Sequence, residues 1–429
     1  LSVLVGCGLG GTSLINANVA LESDARLKAY FDWPKVYQDQ PGLLAPYYDR
    51  ARKALGSTPY PDSAPALPKL AALKQSAAAM GQPFYRPPIN VTFQDGPNAF
   101  GFAQKACTLC GDCCTGCNYG AKNTTLMNYL PDARAFGAAI FTGAEVRRIA
   151  RSGDGWQVTV RETGSQDDDT GTRQITASLV VLGAGTLGST EILQRSAAAG
   201  LALSPALGTR FSGNGDVLAF GYNANLDGSF DDKIPRPALR GVGAGTNAPD
   251  RPQFQPGPTI AGIIDMRDPR APVTDGLVIE EGVLPGGFAM AFTAMFFVNE
   301  ATSGDAFRFG DTALRLKDAA AIGAAITDNP AALGQFAYDG PVGRSQTYLV
   351  MSHDSSDGTL AFANDTTVVR WPGVGREASI ARDNALLAQA SDAIWAEFAP
   401  NPLWQDAMGR KLVSVHPIGG CVMADSVDR

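Results

Sequence analysis

Two glycine-spaced segments constrain this chain more than anything else in it. Gly6-Cys7-Gly8-Leu9-Gly10-Gly11 and Gly183-Ala184-Gly185-Thr186-Leu187-Gly188 both spell G-x-G-x-x-G. That spacing suits a strand that turns tightly into a helix while its backbone comes close to a ligand. The second segment has the better setting, with apolar "SLVVL" before it and helix-like "STEILQRSA" after it. The pattern predicts a buried strand, a turn and a helix there. Neither segment leads into a second strand ending in Asp or Glu about 20 residues on, the group that holds a dinucleotide ribose. A nicotinamide-dependent reductase therefore rests on the glycines alone. For residues 183–188, a packed strand-to-helix crossing and direct cofactor contact both stay open.

Composition narrows the class. The 429 residues are 45% apolar and 18% charged, enough for a large core and two or three domains. A net charge of −7 argues against a broad nucleic-acid surface. No apolar run approaches the roughly 20 residues of a membrane span, and no leader pattern is visible. Seven cysteines, five of them within 107–117, do not resemble a secreted disulfide framework. A cytoplasmic setting is the expectation.

Along the chain, "AAIFTGAEVRRIA" and "GWQVTVRET" read as strands joined through a polar hairpin, "GSQDDDTGT", to a third. Residues 217–360 mix strand-like stretches ("LVIEEGV", "AMAFTAMFFV", "SQTYLVMS") with Gly/Pro turns, which predicts a mostly antiparallel sheet. "AMAFTAMFFV" also offers apolar side chains for a pocket or for plain core. Residues 377–398 have the spacing of an amphipathic helix.

The cysteines have a pattern of their own. With Cys114 set aside, Cys107, Cys110, Cys113 and Cys117 give C-x2-C-x2-C-x3-C, the bacterial ferredoxin run with Asn118 where Pro is usual. In two-cluster ferredoxins the fourth cysteine serves the other cluster. A single [4Fe–4S] cluster here would draw its last ligand from Cys114, Cys117, Cys7 or Cys421. Zinc, local disulfides and free thiols are the alternatives.

Only two histidines exist. His353 reads as structural, with Asp354 beside it. His416 stands before Pro417, Gly419 and Gly420, a rigid turn able to place an imidazole at a pocket floor. An imidazole titrating near neutrality suits removal of a hydroxyl proton.

Four stretches together resemble the glucose–methanol–choline (GMC) oxidoreductase family and its cholesterol-oxidase-like branch. They are "GLGGTSLINANVALE", "GAEVRRI", "SLVVLGAGTLGSTEIL" and "VHPIGGCVMADSVDR". The resemblance implies an α/β fold: an FAD-binding doubly wound domain (residues 1–35, 105–216 and 405–429, with 105–125 cysteine-rich) and a substrate domain (36–104 and 217–404) with a mostly antiparallel sheet and helices. It further implies that the ADP-binding βαβ unit lies upstream of these residues and a second catalytic Asn or His downstream. Gly10, Gly11, Thr12 and Asn16 would lie against the flavin, Val146 against the adenine, and Gly183, Gly185 and Gly420 near the cofactor. The implied activity is oxidation of an apolar, sterol-like alcohol by hydride transfer to FAD, with His416 as acid/base and O2 or an electron-acceptor protein taking the electrons. The branch also uses a sheet Glu. Glu281 is the candidate, since alternation lets only one of Glu280 and Glu281 face a pocket. A solvated face and a paired structural carboxylate are the other reading of the two. The segment after Pro285, "GGFAMAF", departs from the branch in having no carboxylate. A non-catalytic iron–sulfur electron-transfer subunit on a flavin fold is the alternative function.

Overall fold

A computed structural model describes residues 1–30, 33–164, 171–224, 239, 241–243, 255–289, 291–293, 296, 307–309, 312–314, 338 and 342–426. Its centre is a six-stranded antiparallel sheet, in the order Glu397–Pro400, Val217–Tyr222, Gln346–Met351, Val278–Gly282, Ile263–Asp265, Phe84–Tyr85. The antiparallel sheet expected over 217–360 is therefore present.

One face of this sheet is covered by the helices Pro68–Ala79 and Ala378–Asp392. Leu73 and Ala77 of the first, and Ile380, Leu387 and Ala390 of the second, pack on Val217, Ala219, Ile279, Tyr348 and Val350. The two helices are joined by Ser76 Oγ, which donates to the Ala390 carbonyl at 2.7 Å. The opposite face carries a second cluster, with Phe220 edge-on to Phe296 and Tyr222 tilted against it.

A three-stranded antiparallel sheet, Ala144–Ser152, Gly155–Glu162 and Thr172–Ala177, lies against the helix Gly185–Ala198. Ile149 N–H donates to Ser196 Oγ at 2.9 Å, and Arg195 reaches Asp365 and Glu191. The hairpin Thr359–Ala363/Thr366–Arg370 closes over the same helix, tied through Gln194 to Leu360 and Thr367. Residues 165–170 of the polar hairpin lie outside the described residues.

Several expectations change. "SLVVL" is not a buried strand: residues 179–182 are irregular, with Leu179 74% and Val181 83% exposed. No strand pairs with them among the described residues, so the apolar pattern has no sheet to enter. The doubly wound parallel sheet is represented among the described residues by one short parallel pair, Ser2–Val3 with Val413–Ser414, and an isolated bridge, Val242 with Leu284. The strand in "AAIFTGAEVRRIA" begins only at Ala144, because Gly143 turns the chain through a positive φ. The helix expected over 377–398 stops at Asp392; Trp395 turns the chain through a left-handed φ of 51°, and Glu397–Pro400 joins the sheet edge. In "AMAFTAMFFV", residues 289 and 291–293 are helical, while 290, 294, 295, 297 and 298 lie outside the described residues. No helix among the described residues is long and apolar enough to cross a membrane.

One buried ion pair locks helix to sheet. Lys69 (1% exposed) donates to Glu281 (0% exposed) and to the carbonyls of Pro258 and Thr259. Glu281 Oε1 also accepts from Ala261 N–H at 2.8 Å and Gly262 N–H at 3.1 Å. Removing one partner strands a buried charge, at a cost of about 3–5 kcal/mol, whereas replacing both with apolar groups is nearly neutral. Lys69→Met should lower unfolding free energy by about that amount, and Lys69→Met/Glu281→Leu should recover most of it; chemical denaturation measures both.

Candidate active site

The strand Val413–Ser414 runs into Val415 and His416, and the strand Val217–Tyr222 starts immediately after Asp216. Asp216 is 3% exposed and gathers the turn around His416 onto its carboxylate. Its Oδ2 accepts from Val415 N–H at 2.8 Å and His416 N–H at 3.2 Å, with Ser414 Oγ also at 3.2 Å. His416 Nδ1 lies 2.9 Å from Asp216 Oδ1. An ionised carboxylate only accepts, so the imidazole proton sits on Nδ1 and the Nε2 lone pair is left available. Burial pushes the His416 pKa down, but the hydrogen bond and charge of Asp216, aided by Glu280, outweigh it and hold the pKa above the usual histidine value.

The backbone on either side is fixed. Asp354 does not hold His353 through any of its carboxylate bonds; its Oδ2 accepts from Gly213 N–H at 2.9 Å and Gly215 N–H at 3.0 Å, bracing the loop that carries Asp216. Ile418 and Ser212 exchange two backbone bonds at 3.0 Å. At Gly419, with φ 96°, a Cβ would come within 2.0 Å of the Arg210 carbonyl. Only glycine fits there, which is the physical content of the turn after His416.

Glu280 and Glu281 face opposite ways. Glu281 points to the helix-covered face and is engaged by Lys69. The carboxyl on the other face, which interacts with His416 and Asp216, is Glu280. It is fully buried, and neither oxygen has a hydrogen-bond partner. Burial, reinforced by Asp216 and Glu281 against the opposing pull of His416, raises its pKa to about 8. The candidate from alternation, Glu281, is thus the one held by Lys69, and Glu280 is the one on the side of His416.

The glycine turn lies near this centre. Ser2–Val3 pairs with Val413–Ser414, and Leu4 N–H donates to the Ser414 carbonyl at 2.9 Å, so the chain entering the turn runs beside the chain leading to His416. Gly10 (φ 106°) and Gly11 (φ 55°) open a short 3-10 helix, Gly11–Leu14. Thr12 Oγ1 accepts from Gly6 N–H, and Ser13 Oγ donates to the Gly10 carbonyl at 2.6 Å. Lys122 holds Asn16 in place by donating to its carbonyl at 2.7 Å. Asn18, two residues on, is buried with both polar side-chain atoms unpartnered. Gly183 precedes and Gly185 opens the helix Gly185–Ala198, and Thr186 Oγ1 donates to the Pro417 carbonyl at 2.7 Å, bringing this segment to the His416 turn as well. The helix has no side-chain N-cap, so its first N–H groups stay available to an anion. A Cβ at Gly8, Gly11, Gly183 or Gly185 would meet nothing within 4 Å. Gly420 differs: a Cβ there would lie 2.4 Å from Thr190 Oγ1, so this glycine serves close packing on the helix. Val146 sits half-buried at a register shift in its strand.

Asp216 and Glu280 were not singled out as catalytic in the sequence. The Asp216–His416 contact joins residues far apart in the chain, and no local motif announces it. For Glu280, the only signal was strand alternation, which gives two faces without saying which one is covered.

The model of the GMC oxidoreductase family matches residues 1–213. A cholesterol oxidase from Mycobacterium tuberculosis (strain CDC 1551 / Oshkosh) is 33% identical over 207 residues, covering 44% of this chain and 35% of that protein. The cholesterol oxidase of strain ATCC 25618 / H37Rv gives the same figures. A cholesterol oxidase from Acinetobacter baumannii is 27% identical over 240 residues, covering 51% of this chain and 42% of that protein. The chain spans less than half the length of the relatives it matches.

The raised Glu280 pKa carries a stability signature. The unfolded carboxyl loses its proton near 4.5 and the folded one near 8. Its contribution is therefore present in full below the first value and is lost as pH rises through the second. Glu280→Gln removes this dependence. Its melting temperature should match that of the parent near pH 5 and exceed it by several degrees near pH 9, as read by calorimetry across that range.

Proposed function

Because the chain belongs to the GMC oxidoreductase family, we propose that it serves FAD-dependent oxidation of a hydroxyl group on an apolar, sterol-like alcohol. The Asp216–His416 pair carries this reading: an imidazole oriented through Nδ1, with Nε2 available beside a buried carboxyl. Bound FAD supplies the hydride acceptor for such a reaction. The residues present fit it: an open glycine turn at 8–11 and an uncapped helix N-terminus at 183–185, both joined to the His416 segment. Gly10, Gly11, Thr12 and Asn16 would hold the flavin end, Gly183 and Gly185 would lie near the cofactor, and Val146 would meet the adenine. Segments 1–35, 105–216 and 405–429 form the cofactor half in this reading, and 36–104 with 217–404 form the substrate half.

His416 Nε2 accepts the hydroxyl proton as the substrate is oxidised. Asp216 keeps the Nδ1 proton in place and stabilises the imidazolium that results. Glu280, neutral near pH 7, would offer a hydrogen bond to the substrate from the same side, a role open to a carboxyl only when burial keeps it protonated. O2 or an electron-acceptor protein would be the final acceptor of the electrons. The names of the relatives support a sterol-like substrate.

His416→Ala should slow anaerobic bleaching of the flavin by substrate about 10²–10⁴-fold while leaving bound FAD unchanged. Full-rate bleaching in that variant would remove His416 from the chemistry. With wild-type protein, activity should fall as pH drops below the raised His416 pKa, because the base is then already protonated. Asp216→Asn removes the interactions that raise this pKa, so the acidic limb should move to lower pH as the maximal rate drops.

A further inference from the structure

The cysteine loop has no part in the chemistry above, yet it is built as a site. Cys107, Cys110, Cys113 and Cys117 line one cavity, closed by Val91, Thr108, Gly111, Asp112, Tyr119, Ala121 and Lys122. Cys114 is not among the lining groups; its Sγ turns toward Thr259 Oγ1 at 3.8 Å. Cys7 and Cys421 are exposed elsewhere. The fold therefore makes the selection that spacing left open, and the four thiols it gathers are those of the C-x2-C-x2-C-x3-C run.

The loop's shape is constrained toward this arrangement. Gly111 has a φ of 83°, and a Cβ there would lie 2.6 Å from Pro256 and 2.8 Å from Val283. Leu109 is also left-handed, at φ 62°, and its N–H donates to Cys107 Sγ at 3.4 Å. Amide-to-sulfur hydrogen bonds of this kind help set the potential of iron–sulfur centres. Behind the thiols, Cys107 and Cys117 pack on Ile89, Val91 and Ala121, so the walls are apolar.

Lys122 gives an independent indication of charge. Its ammonium is 2% exposed and donates to the carbonyls of Leu14, Asn16 and Cys113 at 3.1, 2.7 and 3.0 Å. All three acceptors are neutral. Its three N–H donors are thereby satisfied, and it lines the thiol cavity on a side where an anionic occupant would meet a cation. A cluster held by four thiolates carries net negative charge.

We propose that Cys107, Cys110, Cys113 and Cys117 bind one [4Fe–4S] cluster, charge-balanced by Lys122 and seated directly behind the turn at residues 14–16. Each thiol gives its proton to solvent as its sulfur–iron bond forms. Zinc on the same four thiols is the competing occupant, and the metal assay below separates the two. A cubane spreads its four ligands around a wider body than one tetrahedral ion does.

The chain, purified anaerobically from iron-replete cells, should contain about four irons and as many acid-labile sulfides per molecule. A broad visible absorbance should bleach with dithionite. Serine in place of Cys107, Cys110, Cys113 or Cys117 should abolish the full four-iron complement, whereas Cys114→Ser should retain iron, sulfide and absorbance. Stoichiometric zinc, iron without sulfide, a protein free of metal, or loss in Cys114→Ser with retention in Cys117→Ser would overturn the assignment. Iron and sulfide are assayed without flavin or substrate, so this result is independent of the alcohol-oxidation reading.

Discussion

One buried carboxylate organises the candidate active site. Asp216 takes two backbone N–H groups and a ring nitrogen from the segment 414–416, and the loop that carries it is braced by Asp354. A carboxylate with so many charge-assisted bonds holds its partners strongly. It fixes the backbone entering the His416 turn, the orientation of the ring and the ring's tautomer together. Each would otherwise be a separate conformational choice that the protein has to restrict.

The strand Val278–Gly282 shows how one residue's shift in parity separates structure from chemistry. Glu281 faces the helices and is satisfied by an ammonium and two backbone amides. Glu280 faces His416 with no hydrogen-bond partner. Two identical side chains on adjacent positions thus meet opposite conditions, one stabilising and one costly. An unsatisfied buried carboxyl is a departure from the usual rule for interiors, and such departures concentrate where function demands them.

Local features were legible in the sequence. The turn glycines, the rigid backbone after His416, the strand Gly155–Glu162 and the antiparallel character of the central sheet all follow from short-range sterics and alternation. What failed depended on partners. "SLVVL" has the composition of a core strand and no neighbour among the described residues to pair with. The stretch Glu397–Pro400 reads as the end of a helix until the open edge of Val217–Tyr222 draws it into a sheet. Lys69 looks like an ordinary surface lysine on a first helical turn, and only the position of Glu281 explains its burial. Asp216 required the fold to bring two distant segments together.

The short parallel pairing of Ser2–Val3 with Val413–Ser414 has a consequence for how the molecule matures. It joins segments far apart in sequence, a costly kind of contact for a folding polypeptide to form early. The strand beside His416 is thus completed late in folding. Until residues 2–3 and 413–414 meet, the backbone leading into His416 is without its parallel neighbour.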